Sequence, residues 1–177
     1  DRQIVVVDND SEDGSADMVA AEFAAVTVIR CDSNLGFARA NNRGVAATQS
    51  RHALLLNSDT LASTAALDAL VRAMDADTAL GALSPLLRTP DGGAQPYAFG
   101  ADPTPAYLLR RGVNRLLFKR PLHDWTPTVP IDADWVSGAC MALRREAFER
   151  VGGLDERVFM YFEDTDLCLR IRRAGWR

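Results

Sequence analysis

Residues 54–60 read LLLNSDT, three leucines that stop at an amide, a hydroxyl and a carboxylate. A short continuous apolar run closed by turn-forming residues is the pattern of a strand buried on both faces, and it delivers Asp59 at its carboxyl end. The same shape opens the chain, where IVVVD ends in Asp8. Amphipathic stretches lie between such runs. SADMVAAEF places Met18, Val19 and Phe23 at helical spacing behind Ser15 as N-cap, and Val26–Ile29 is a second strand. GFARANNRGVAAT reads as helix, Ala53–Leu56 as the third strand, and TAALDALVRAM sets Leu67, Leu70, Val71 and Met74 on one helix face before a strand at Leu80–Leu83. Continuous apolar strands alternating with amphipathic helices predict an α/β fold, a Rossmann-like, mostly parallel sheet flanked by helices.

Composition is that of one domain over residues 1–177, since 47% hydrophobic and 25% charged residues in a chain of this length can bury a full core. A net charge of -4 argues against a nucleic-acid partner. The three cysteines, Cys31, Cys140 and Cys168, are odd in number, far apart and without CxxC spacing, which points away from a disulfide framework or a zinc site and toward a reducing cytoplasm. No apolar run approaches the roughly 18 residues of a membrane span, and no signal peptide is visible. The chain enters a strand within a few residues and stops after the helical stretch ending at Gly175, so a fragment lacking the first strand and the C-terminal part is expected.

Ligands of open α/β sheets sit in the crevice beyond the carboxyl ends of the strands. Two strands here end in acid, although Asp also serves as an ordinary turn residue. The turn after Asp8, from Asn9 to Gly14, is rich in oxygen atoms, which fits either a binding loop or a solvated one.

In order along the chain, VVVDNDSEDGS, NLGFARANNRG, LLLNSDT and WVSGACMALRREAFERVGGLDERVFMYFEDTDLCLRIRRAGW resemble the successive motifs of family-2 glycosyltransferases of the GT-A fold, and within them the bacterial rhamnosyltransferase-like branch. The resemblance implies transfer of a sugar, rhamnosyl favoured, from a dTDP or UDP sugar to a glycan or lipid-linked acceptor with inversion. It implies a nucleotide-binding part over about 1–90 and an acceptor-side part over about 91–177. Asn57, Ser58 and Asp59 match the family's DxD position, with Asp59 as the ligand of Mg2+ or Mn2+ and Asn57 in place of the first aspartate. Hard oxygen donors suit either ion. In FMYFEDTDL the family places the catalytic base; Asp164 is the matching position, with Glu163 and Asp166 as neighbours whose like charge would raise its proton affinity. The same three acids also suit the N-terminal turn of a helix. Asp8 matches the residue that binds the nucleotide base, and Asn34, Gly36, Phe37, Asn41 and Asn42 match the segment facing the nucleotide. Helix capping remains open for Asn34 and core packing for Phe37. Trp135, Ser137 and Gly138 match the strand bordering the acceptor, where Trp135 serves either to stack on a sugar or to fill the core.

YLLRRGVNRLLFKR, residues 107–120, is a basic amphipathic stretch with no acid between Asp102 and Asp124. It reads as a peripheral contact with the inner face of the plasma membrane, near a lipid-linked acceptor of cell-envelope polysaccharide synthesis, or as an ordinary surface helix. Two other functions fit parts of the pattern: a sugar nucleotidylyltransferase, and a nucleotide- or sugar-binding domain without catalysis.

Overall fold

The structure, a computed structural model, describes residues 2–119 and 124–177. The elements run β1 (Ile4–Asp8), α1 (Ser15–Glu22), β2 (Val26–Arg30), α2 (Gly36–Ala46), β3 (His52–Leu56), α3 (Thr64–Ala76), β4 (Ala82–Leu83), β5 (Phe99–Gly100), α4 (Pro105–Phe118), β6 (Trp135–Val136), β7 (Cys140–Arg144), α5 (Arg145–Arg150) and α6 (Glu163–Arg173). The strand-helix alternation read from the first half of the sequence is present. At α1 the cap shifts by one residue: Gly14, at φ 77°, is the N-cap, and Ser15 opens the helix with its amide donating to Asp13 Oδ1 at 2.9 Å. Met18 and Phe23 on this helix stay about half exposed.

Strand direction departs from the mostly parallel sheet expected. β1 and β2 pair in parallel from Ile4 opposite Val26 to Asp8 opposite Arg30. β7 instead lies between β3 and β4 and runs antiparallel to both, and β5 pairs antiparallel to β6. A continuous apolar run is expected of a strand covered on both faces and does not give the direction of a neighbour. β7 carries that signal itself: Met141 and Leu143 pack into one cluster with Leu154, Leu167 and Ile171, while Cys140 and Ala142 face a second with Leu70 and Met74. The two-residue alternation of a strand thus feeds two cores, one under α6 and one under α3. β3 is less covered: Leu55 is buried, but Leu54 and Leu56 are exposed.

Arginines tie these layers to the loops. Arg144, at the end of β7, donates to the carbonyls of Met74 (2.6 Å), Asp77 (3.0 Å) and Leu80 (2.9 Å), satisfying acceptors that the last turn of α3 leaves open. Arg170 holds the carbonyls of Val151 and Gly153 at 2.7 Å each, which anchors the GGLDE loop to α6. Arg172 grips both oxygens of Asp102 at 2.7 Å and the Asp134 carbonyl at 3.0 Å, fixing the segments on either side of α4.

Replacing Arg144 by Leu leaves three carbonyls without their donor in a half-buried site. Urea denaturation should show a loss of about 2–4 kcal/mol, partly recovered by Lys; an unchanged midpoint would show that water replaces the guanidinium without cost.

Candidate active site

Beyond the carboxyl end of β3 a cavity of about 1240 Å³ draws its lining from distant parts of the chain. Phe37 comes from α2, Asn57 from the residue after β3, Trp135, Ser137 and Gly138 from β6 and its following turn, and Glu163 and Asp164 from the first turn of α6. Asn57 is fixed because its amide donates to the Ala139 carbonyl at 3.0 Å, continuing the β3–β7 ladder. The Thr60 amide then returns to the Asn57 carbonyl at 3.0 Å, closing a β-turn whose two central residues are Ser58 and Asp59. Both are exposed and neither lines the cavity, to which this turn contributes Asn57.

The first turn of α2 is held from two sides. Asn9 receives the Leu35 amide on Oδ1 at 2.8 Å and donates from Nδ2 to Asn34 Oδ1 at 2.9 Å, and Asn34 Oδ1 also accepts the Gly36 amide at 3.0 Å. From the far end of the chain, the carbonyl of Phe159 accepts the Phe37 amide at 2.9 Å. Gly36 makes that approach possible: it sits at φ 79°, and a Cβ there would lie 2.4 Å from the Phe159 oxygen. Phe37 in turn packs on Gly138, where a Cβ would meet its ring at 2.9 Å. Phe37 is therefore at once packing and cavity wall.

Asp164 is oriented by three donors. Its Oδ2 accepts the Gly138 amide at 3.2 Å, and its Oδ1 accepts the Thr165 amide at 2.7 Å and the Thr165 hydroxyl at 3.3 Å. Tyr161 and Phe162, both at φ 68°, turn the chain sharply into α6. Two successive left-handed residues other than glycine are costly, and here they set the angle at which Glu163 and Asp164 meet the cavity. Glu163 is 6% exposed, and its Oε2 has no hydrogen-bond partner among the described residues. Burial, aided by the adjacent Asp164 charge, raises the Glu163 pKa above the usual carboxylate range.

The acidic cluster thus divides differently from the expectation of three mutually repelling carboxylates. Asp166 is neutralised by Arg170, 2.7 Å away, and only Glu163 and Asp164 line the cavity. Asn41 and Asn42 are also engaged within the protein: Asn41 Nδ2 donates to the Phe37 carbonyl at 2.9 Å, and Asn42 bonds the Leu154 carbonyl and amide, both at 2.9 Å. Asp8 accepts the Ser11 amide at 3.2 Å at the end of β1, off the cavity lining. Trp135 packs against the core and also lines the cavity, with Nε1 donating to the Ala101 carbonyl at 3.0 Å.

Two contributions were not read from the sequence. Asn9, seen there only as part of an oxygen-rich turn, is the brace between β1 and α2. Tyr107, Arg111 and Arg115 of α4 and Lys119 at its C-cap also line the cavity. The i, i+4, i+8 spacing of the three cations was the available signal. The cysteines play no part in it: all three are buried, and burial pushes the Cys168 thiol up to about 11.

Residues 1–152 match the family model described as Glycosyl transferase family 2. The chain is 33% identical to the N-acetylglucosaminyl-diphospho-decaprenol L-rhamnosyltransferase of Mycobacterium tuberculosis, over 98% of this chain and 62% of that protein, and so spans less than two thirds of the relative's length. Among solved structures, it is similar to the mannosyltransferase PcManGT from Pyrobaculum calidifontis in complex with GDP-Man and Mn2+, with a TM-score of 0.65 and 22% identity over 99% of this chain and 44% of that one. It is also similar to GalNAc-T7 with UDP, GalNAc and Mn2+, with a TM-score of 0.68 and 18% identity over 98% of this chain and 35% of that one. The chain therefore belongs to glycosyl transferase family 2, has the α/β GT-A fold, and is similar to the family's rhamnosyltransferases.

Proposed function

We propose that this chain carries the catalytic centre of an inverting glycosyltransferase, which moves a sugar from a dTDP or UDP sugar to a lipid-linked or glycan acceptor. Rhamnose is the favoured sugar, by similarity to the mycobacterial enzyme. The observation that supports this most is that Asn57, beside the exposed Asp59, and the oriented carboxylate of Asp164 belong to one cavity. A donor diphosphate at the first and an acceptor hydroxyl at the second would bring the reacting atoms together. The acceptor oxygen forms its bond to the anomeric carbon, the bond from that carbon to the diphosphate breaks, and the acceptor proton passes to Asp164. Glu163 lies buried beside it, and that burial, with the neighbouring Asp164 charge, raises its proton affinity. Asp166 acts through Arg170, as a positioning residue. Family membership and the GT-A fold speak against the nucleotidylyltransferase reading, and the donor set around Asp164 speaks against loss of catalysis.

On the donor side, Asp8 would hold the base, and Asn34, Gly36, Phe37, Asn57 and Ser58 would border the nucleotide and diphosphate. Asn41 and Asn42 serve the same site indirectly, by holding α2 and the loop at Leu154. Residues up to about 90 form the donor part in this reading and those beyond it the acceptor part.

A divalent cation fits the donor set at the β3 turn. The described residues contain no cluster of three or more His, Cys, Asp or Glu side chains able to hold a metal alone. The turn offers only oxygen donors, chiefly Asp59 with Asn57, so Mg2+ or Mn2+ would take its remaining ligands from phosphate and water. When bound, the ion neutralises charge on the departing diphosphate.

Among the described residues, no helix is long and apolar enough to cross a membrane. Peripheral contact with the inner membrane face through residues 107–120 remains part of this proposal, with Arg120 outside the described residues. The group that would enter the lipid differs from the basic contact read in the sequence: Leu109 is 71% and Leu116 79% exposed, whereas Arg111 is half-buried against the cavity.

Three outcomes follow for the full chain. Asp164→Asn should lower kcat by about 10²- to 10⁴-fold with donor affinity retained, as measured by steady-state transfer and nucleotide titration; unaltered turnover would remove Asp164 as the base. Asp59→Ala should raise the Mn2+ concentration for half-maximal transfer by at least about tenfold; an identical metal curve would move the ion elsewhere. In pelleting with anionic vesicles, joint replacement of Leu109 and Leu116 by Ser should weaken association at least about tenfold, and equal pelleting would exclude this face.

A further inference from the structure

Helix α4 leaves apolar and cationic side chains at the surface together. Leu109, Val113, Leu116 and Leu117 are exposed. Arg111, half-buried, and Arg115 and Lys119, both exposed, line the cavity that contains Asp164, with Leu108 beside them. The three cations recur every fourth residue and form one stripe. Among the described residues they are the cationic side chains of that lining, and none of them forms an ion pair with a carboxylate. Arg111 is also held in place: its Nη2 donates to the Tyr97 hydroxyl at 3.2 Å, and its guanidinium lies 5.5 Å from the Tyr97 ring centre. Tyr97 itself, at φ 61°, packs on Trp125 with ring centres 5.5 Å apart, and Trp125 packs on Phe99 at 5.3 Å. An aromatic shelf thus supports a cation without satisfying its charge.

From this geometry we infer that Arg111, Arg115 and Lys119 form an anion site for the diphosphate that links an acceptor sugar to its lipid. The inference rests on the glycosyltransferase reading above and adds the acceptor's chemical class to it. A cavity that must admit a hydroxyl near Asp164 and Glu163 has no use for three cations unless its ligand is anionic, because the carboxylates have their own donors or are buried. In the reading above, the donor diphosphate would lie at the β3 turn, where a divalent cation held by Asp59 would supply the compensating charge. A second diphosphate, on the acceptor, needs positive charge elsewhere, and α4 supplies it; the planar guanidinium matches phosphate oxygens in a bidentate manner. The exposed leucines on the same helix would then border the lipid that follows the diphosphate.

The test uses the full chain and two probes, geranyl diphosphate and geranyl monophosphate, titrated calorimetrically alongside dTDP and UDP with Mn2+. Wild type should bind the geranyl diphosphate more tightly than the monophosphate. Joint Arg111→Gln and Arg115→Gln replacement should weaken diphosphate binding by about tenfold or more per arginine and leave nucleotide binding within about threefold. Replacement of both by Lys should recover part of the loss, and an unchanged thermal midpoint would exclude unfolding as its cause. Equal diphosphate binding by wild type and the Gln variant, or no binding by wild type, would overturn the inference. A loss confined to nucleotide binding would assign the stripe to the donor instead. Transfer assays separate the two readings: arginine-dependent diphosphate binding without sugar transfer from any donor would retain the anion site and reject the glycosyltransferase activity, and transfer to a lipid-linked sugar diphosphate with an acceptor KM unmoved by the Gln variant would do the reverse.

Discussion

The contact on which the crevice depends is the approach of the Phe159 carbonyl to the first turn of α2. It joins a segment near residue 36 to one more than a hundred residues later, and only a residue without Cβ at position 36 permits it. From that contact the rest of the wall follows in order. Phe37 is positioned, its ring packs on Gly138, and the Gly138 amide holds one oxygen of Asp164. A single glycine therefore relates the segment expected to face the donor to the carboxylate expected to act as base.

The second organising element is β7. Its side chains fill both cores, and its neighbour β3 ends where Asn57 begins the exposed turn. Arg144 and Arg170 secure the loops on either side with charged donors to backbone carbonyls, interactions stronger than neutral ones. The core and the crevice are thus consequences of the same strand pairings.

Much of this was legible from residues alone, for physical reasons that differ by element. α2 and α3 announced themselves because burial of one face imposes a period, β1 and β3 because a short apolar run closed by turn residues marks a strand, and Asp59 was read from the acid that follows such a run. Strand direction was not legible, since CMALR and HALLL look alike whether neighbours run parallel or antiparallel. The acids of the first turn of α6 were visible in the sequence, but their division was hidden: Asp166 pairs with Arg170 four residues on, while Glu163 and Asp164 line the cavity. Asn42 shows the same limit, because its partner Leu154 is distant in sequence. For α4 the amphipathic pattern was visible and its orientation was not, since a periodic stretch does not say which face finds cover.

The central claim, that the β3 turn and its neighbours form a nucleoside diphosphate donor site assisted by a divalent cation, is tested most directly by calorimetric titration of the full chain with dTDP, UDP and GDP, each with and without Mn2+. The account predicts that dTDP or UDP binds, and binds more tightly when Mn2+ is present. Failure of all three to bind, or affinity indifferent to the metal, would contradict it.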